Sequence, residues 1–195
     1  MPTENIDLPL LGTVVQRNVR IAYLRKHDDP GEFSYIQGIC SGRLKRFTDF
    51  ENLQVSVDYR RNLPNFTSGL AELLKSPFDA VLSPPSRHPE LAQPYFGALL
   101  PSSPKAVDLS GNFSRKSGSR SGDGRTYQEV FDGLSYDPKG CESALGSVLI
   151  VDDIFYSGNT AAAIIAHLQR AGTPAPCRFT VACPYWRQSV PVHAS

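Results

Sequence analysis

The spacing of apolar residues changes several times along this chain, and each change predicts an element. In SVLIVDD (147–153) four apolar residues, Val148, Leu149, Ile150 and Val151, follow one another with no polar position between them. A short unbroken run of this kind predicts a strand buried on both faces, as in a parallel sheet. Downstream, Ala161, Ile164, Ile165 and Leu168 recur at helical spacing. Gly172 and Pro174 stand where that helix should stop, so the pattern predicts a helix over about 158–170. RFTVACPYW (178–186) reads as a final strand. Upstream, FDAVLSPPS (78–86) is a short apolar run closed by a proline-rich turn, and KAVDLS (105–110) is another short strand. FTSGLAELLKS (66–76), with Leu70, Leu73 and Leu74, predicts a helix, as do HPELAQPYFGALL (88–100), kinked or restarted at Pro94, and TYQEVFDGL (126–134).

Strands alternating with helices predict an α/β fold with a parallel, doubly wound sheet over residues 66–195. The first 65 residues read differently. VVQRNVRIAYLRK, EFSYIQGIC and LQVSVDYRR are rich in β-branched and aromatic residues with partial alternation, and HDDPGE (27–32) is a turn between the first two. This segment is expected to form a β-rich hairpin or accessory sheet. By contrast, GNFSRKSGSRSGDGR (111–125) is almost all glycine, serine and basic residues and is read as a long loop that builds no core.

Composition narrows the field. The chain has 195 residues, 41% of them hydrophobic, and a formal charge of +1. That leaves enough for a core and no global field favouring nucleic acid or a membrane surface. No apolar run is long enough to span a bilayer, and the N-terminus lacks the layout of a signal peptide. Cys40, Cys141, Cys177 and Cys183 show no paired zinc-type spacing. Reduced thiols in a cytoplasm are the simplest reading, with Cys177 and Cys183 as small hydrophobes of a late strand.

The candidate chemistry lies where the buried run ends. Asp152 and Asp153 follow Val151, and Ser157, Gly158, Asn159 and Thr160 then lead into the predicted helix. Ligands of open α/β sheets bind at the carboxyl ends of strands. A glycine turn at a helix N-terminus presents free N–H groups and the positive end of the helix dipole to an anion. Carboxylates repel an anion but accept hydrogen bonds from hydroxyls and stabilise positive charge developing on a sugar ring. A phosphorylated sugar satisfies both halves. The plain alternative is a strand-to-helix turn in which Ser157 or Thr160 is only a cap.

The stretch VLIVDDIFYSGNT resembles the phosphoribosyl-pyrophosphate signature of type I phosphoribosyltransferases: four apolar residues, two acidic ones, then a short loop ending in Thr/Ser-Gly-x-Thr. The resemblance implies that the sheet is of that family's kind. It implies that Asp152 and Asp153 hold the ribose hydroxyls and that Tyr156, Ser157, Gly158, Asn159 and Thr160 form the 5-phosphate loop. Ser83, Pro84, Pro85, Ser86 and Arg87 stand where the family's pyrophosphate turn should be. Residues 111–125 fit its closing loop, with Arg115, Lys116 and Arg120 as the basic candidates. Magnesium is implied as a companion of the pyrophosphate, with few protein ligands, and a homodimer is a family expectation.

The activity implied is transfer of the phosphoribosyl group to a nitrogen nucleophile, a nucleobase or related compound, with release of pyrophosphate, in nucleotide metabolism. The alternative on the same fold is a module that senses phosphoribosyl pyrophosphate or binds a partner without turnover. Phosphoryl hydrolysis or pyrophosphate transfer is a weaker third reading, and no GxxxxGK[ST] stretch supports an ordinary nucleoside triphosphatase. Purine-specific members carry an acidic residue at the position of Tyr156, so the resemblance does not imply a purine acceptor. Any selective hood is sought in the N-terminal segment and around Tyr185 and Trp186. The turn 83–87 also reads as a rigid surface turn, and 111–125 as a solvated linker. His88 is read as a helix-start residue, His167 as lying on the polar face of its helix, and Arg43, Lys45 and Arg46 as a solvated face.

Overall fold

The computed structural model describes residues 1–9, 15–27, 54–75, 77–86, 96, 105–117, 125–139, 145–173 and 177–187. Its strands are β1 (Thr3–Pro9), β2 (Val15–His27), β3 (Ala80–Leu82), β4 (Val107–Asp108), β5 (Phe113–Arg115), β6 (Leu134–Tyr136), β7 (Ser147–Val151), β8 (Ile154–Phe155) and β9 (Arg178–Arg187). The helices are α1 (Gln54–Leu73), α2 (Tyr127–Asp132) and α3 (Asn159–Arg170).

Among the described residues, the main sheet runs β1-β2-β9-β7-β3-β4, with β8 paired to β9. The β2–β9, β9–β7, β7–β3, β3–β4 and β8–β9 pairs are parallel, and the edge strand β1 is antiparallel to β2. The protein is therefore a mixed α/β fold around a mostly parallel sheet. β1 and β2, from the N-terminal segment, extend that sheet. The turn at 28–32 and EFSYIQGIC lie outside the described residues, as do 88–95 and 97–100 of the predicted helix over 88–100.

Alternation along the strands shows why β7 needs an unbroken apolar run. Val148 and Ile150 face one core together with Ala80, Leu82, Val181 and Cys183. Leu149 and Val151 face the other, with Val81 and Ala182. The first core is closed by Ile164, Ile165 and Leu168 of α3 and Val130 and Phe131 of α2, the second by Phe66 and Leu70 of α1. A sheet covered on both faces fills the body of its central strand with apolar side chains, and the polar residue of β7, buried Ser147 at its start, is hydrogen-bonded to Asp79.

Local chemistry sets the ends of the helices. The Thr126 side chain accepts the Glu129 N–H at 3.2 Å while Glu129 Oε2 accepts the Thr126 N–H at 2.8 Å, a reciprocal cap that starts α2. α3 ends as its sequence predicts. Gly172 has φ +99°, its N–H donates to the Gln169 carbonyl at 3.2 Å, and the Thr173 N–H donates to the Leu168 carbonyl at 3.1 Å. Both bonds of a Schellman stop are present.

Three sequence expectations are corrected. LQVSVDYRR is not a strand, because α1 begins at Gln54. Val55, Val57 and Tyr59 alternate over five residues. Over the longer window, Val55, Tyr59, Leu63, Phe66, Leu70 and Leu73 keep helical spacing, and that period prevails. The segment 111–125 is not loop throughout. It opens within a 3-10 turn (Ser110–Asn112) and contains β5, which pairs antiparallel with β6. Phe113 is buried there and stacks on Tyr136 with ring centroids 4.6 Å apart, so one aromatic residue anchors an otherwise polar stretch. The third concerns His167, whose face of α3 is polar in sequence but packed in the structure. It is half-buried, its ring stacks on Phe131 at 4.2 Å, and Nε2 lies 3.2 Å from the Phe131 carbonyl oxygen. Burial lowers its pKa.

Asp79 ties the amino-terminal ends of two central strands together. Its Oδ2 accepts the Gly146 N–H at 2.9 Å, the Ser147 N–H at 2.8 Å and the Ser147 hydroxyl at 3.0 Å. Ser147 is buried, so removing this acceptor leaves its N–H without a replacement and its hydroxyl with only a long 3.4 Å contact to the Pro77 carbonyl. Asp79→Ala is expected to cost about 2–4 kcal/mol, read as a lower urea midpoint at unchanged slope. A midpoint equal to wild type would show that solvent replaces the carboxylate.

Candidate functional site

The parallel register aligns the carboxyl ends of the central strands. Leu82 of β3 pairs with Ile150 of β7, so the turn that follows β3 leaves the sheet beside Val151 and Asp152. β7 itself continues one residue past its last strand position, where the Asp152 N–H donates to the Ala182 carbonyl at 3.0 Å. The strand-end carboxylates and the proline-rich turn therefore meet because two buried strands end together.

Asp152 Oδ1 accepts the Asp153 N–H at 2.9 Å. Asp152 keeps some exposed surface, but its carboxyl lies deep among protein atoms. Burial holds its pKa well above the usual carboxylate range, the neighbouring Asp153 charge adds to that, and the Arg115 guanidinium opposes it. Cys183, fully buried on β9, is pushed up by burial and by the same Asp152 charge. Burial also raises Cys177, to about 11. Both are free thiols packed as hydrophobes; Cys40 and Cys141 lie outside the described residues.

After the carboxylates the chain folds back onto the sheet. Ile154 and Phe155 form β8 against Tyr185 and Trp186 of β9. Phe155 is buried, Tyr156 half-buried and Ser157 exposed. Gly158 occupies the N-cap position of α3 with φ +75° and no side-chain cap. Ser157 Oγ accepts the Asn159 N–H only at a long 3.4 Å. The first helical bond runs from the Ala162 N–H to the Gly158 carbonyl at 2.8 Å, and the first turn of α3 carries no acidic residue. A strong cap by Ser157, the plain alternative for this stretch, is therefore not what starts the helix. Asn159 Nδ2 instead donates to the Arg125 carbonyl at 2.8 Å, and Thr160 is half-buried.

On the opposite side, Ser83 and Pro84 are buried and Pro85 and Ser86 half-buried. The Ser83 N–H donates to Ser110 Oγ at 2.9 Å, and the Ser110 N–H donates to Asp108 Oδ1 at 2.8 Å. Arg115 Nε donates to the Pro85 carbonyl at 2.9 Å. Arg115 thus belongs to β5 and joins the proline-rich turn. Lys116 is exposed, with its N–H donating to the Gly133 carbonyl at 2.9 Å. Arg87, Arg120, His88, Arg43, Lys45 and Arg46 lie outside the described residues.

One constellation therefore gathers Asp152, the turn at 83–86 and Arg115, and Asp153 through Thr160 continue from it. Ser110, the Pro85 carbonyl and Leu8 escape sequence reading. Leu8 is buried against the backbone of Gly158. Their partners stand 27, 30 and 150 positions away, too far for any local pattern to signal. Tyr185 and Trp186 are buried on opposite faces of the sheet, Trp186 edge-on to Tyr23 at 4.9 Å. Among the described residues, no group of three or more His, Cys, Asp or Glu could hold a metal, and no helix is long and apolar enough to cross a membrane.

Compared with models of known protein families the chain matches none, and a comparison with curated proteins finds no match.

Proposed function

We propose that this chain is a phosphoribosyltransferase of the type I kind. It moves the phosphoribosyl group of phosphoribosyl pyrophosphate onto a nitrogen nucleophile of nucleobase type. The observation that carries the reading is the pairing of two adjacent carboxylates with an uncapped helix start, Gly158 at φ +75°, on one central strand end. The carboxylates suit ribose hydroxyls, and the helix start suits a phosphate. The turn at 83–86, level with Asp152, suits the pyrophosphate.

In this mechanism the bond from C1 to the pyrophosphate oxygen breaks with its electron pair leaving on pyrophosphate. The nucleophile's lone pair forms the new C1–N bond. Positive charge develops on the ring, and the Asp152 and Asp153 carboxylates stabilise it. Magnesium would ride on the ligand's own pyrophosphate and ribose oxygens, hard donors of the type it prefers, and would neutralise the leaving group. The protein's oxygen-rich strand end suits a ligand carrying such an ion.

A second reading, a module that binds phosphoribosyl pyrophosphate without turnover, is favoured by one observation. Phe155 is buried against β9 and Tyr156 stands where an acidic base contact is usual in purine-specific members, so the motif offers an acceptor little.

Calorimetric titration of phosphoribosyl pyrophosphate with magnesium tests both. Wild type is expected to bind, and the Asp152→Asn/Asp153→Asn protein to bind about 100-fold more weakly or worse, since two charge-assisted contacts are lost. Pyrophosphate release with a panel of bases then separates transfer from sensing. Absence of wild-type binding would sink both readings.

A further inference from the structure

We infer that Arg115 is a fixed positioning residue, which clamps the proline-rich turn beside the carboxylate pair, and not a basic residue delivered by loop movement. The inference deepens the proposed function and rests on that reading for its ligand, but not for the clamp itself.

Arg115 is held at several points. β5 pairs with β6 in the register Phe113↔Tyr136, Ser114↔Ser135 and Arg115↔Leu134. Two residues before it, buried Phe113 stacks on Tyr136, and one residue after it, the Lys116 N–H bonds to the Gly133 carbonyl. Asn112 closes the other end of the hairpin, with Nδ2 donating to the Asp137 and Lys139 carbonyls at 2.7 and 2.8 Å. The backbone under Arg115 is therefore set before any ligand arrives.

The guanidinium is anchored through Nε. Nε spends its hydrogen on the Pro85 carbonyl, inside a turn whose first residue is held by Ser110. Its charge also reaches Asp152. A planar fork can hold a carbonyl with Nε and direct its remaining N–H groups elsewhere, whereas a lysine ammonium lacks that geometry. One side chain thus ties the hairpin to the turn after β3 through Pro85, and its charge bears on Asp152 at the end of β7, which is itself held by its own strand pairing. Groups that are preorganised in this way avoid a reorganisation cost when charge develops.

The groups that bear on the Asp152 carboxyl are Asp153 beside it, Cys183 on β9 and Arg115 on β5. Two measurements on the full chain test the clamp. The first follows the Asp152 carboxyl carbon by NMR titration without ligand, in wild type, Arg115→Gln and Arg115→Lys. The second measures affinity for phosphoribosyl pyrophosphate with magnesium in the same three proteins. Arg115→Gln is expected to move the Asp152 midpoint up and to weaken binding at least tenfold. Arg115→Lys keeps the charge, so the midpoint returns toward wild type, while affinity stays reduced because the Pro85 contact is lost. If Arg115→Gln does not fold, Arg115→Lys still separates the two readouts. A folded variant with an unmoved midpoint and wild-type affinity overturns the clamp. If wild type itself binds nothing, the proposed function fails, and the ligand-free spectra decide the clamp: backbone resonances at Ser83 and Ser86 that shift in both Arg115→Gln and Arg115→Lys uphold it, and unmoved ones overturn it.

Discussion

Asp152→Asn is expected to raise the melting temperature at neutral pH and to abolish most of the activity. The folded protein holds the Asp152 pKa well above its ordinary value, first by burial and then by the charge of Asp153. A carboxyl whose folded pKa is raised favours the fold when protonated. That contribution is complete below the unfolded pKa and is lost as pH rises through the folded value. At neutral pH an ionised Asp152 therefore costs stability. Asparagine is a neutral isostere that keeps an oxygen to accept the Asp153 N–H, now at 2.9 Å. Each kcal/mol recovered should raise the melting temperature by about 2–4 °C in a chain of this size. The gap between variant and wild type should close as pH falls, because wild-type Asp152 then takes up its own proton.

The functional side has the opposite sign. Under the proposed mechanism the lost charge faced the developing oxocarbenium ion, so turnover should fall by about 100- to 1,000-fold, the size seen when one preorganised electrostatic partner is removed. Thermal scans across pH, beside a pyrophosphate-release assay, read both halves. A variant that is less stable at neutral pH would show that Asp152 is a structural ligand of the strand end. A variant that is more stable and fully active would remove it from the chemistry. Stability given up at one carboxylate is the pattern of a site shaped by function.

Gly158→Ala should produce the largest loss of stability among single changes at the site. At φ +75° any Cβ is strained, by about 1–2 kcal/mol. The Cβ would also meet Leu8 Cδ2 at 2.6 Å and Phe155 Cζ at 2.9 Å, and overpacking of that order costs a further ~1–3 kcal/mol. Together these predict a loss of about 2–5 kcal/mol. Gly172→Ala is the control. It shares the left-handed backbone, at φ +99°, but an added Cβ there meets nothing within 4 Å, so only the conformational cost of about 1–2 kcal/mol should appear. Equal losses at the two glycines would show that Leu8 and Phe155 move aside freely. Leu8→Ala combined with Gly158→Ala should be less destabilising than the sum of the two, since it removes one clashing atom.

That contact also explains why the helix start is uncapped. Leu8 on β1 and Phe155 on β8 close over the glycine, leaving no room for a side chain at the N-cap. The helix therefore begins on a bare backbone turn, with its Asn159 N–H held only by the long 3.4 Å bond to Ser157 Oγ. In the proposed function a stronger acceptor, the phosphate of the sugar, takes that place.

Much of this was legible in the chain itself. Val148, Leu149, Ile150 and Val151 have no polar break because their strand is covered on both faces, and such a run can be recognised without coordinates. α3 announced its buried face through Ala161, Ile164, Ile165 and Leu168 and its end through Gly172. The order of charged and small residues after Val151 marked the candidate site, since a strand end and a helix start are both local events. The strand read into LQVSVDYRR failed because five residues of alternation fit two periods equally, and only twenty residues of α1 decide between them.

The sequence by itself determined the central strand, the following helix and the carboxylate pair between them, because burial on two faces, helical periodicity and turn chemistry each act over a few neighbouring residues. Only the tertiary structure decided that Arg115 leaves the basic loop for a strand and binds Pro85, that Ser110 holds Ser83, and that Leu8 seals Gly158. Those contacts join residues far apart in the chain, and their geometry comes into being only when parallel strands settle into register and bring their ends to one edge of the sheet.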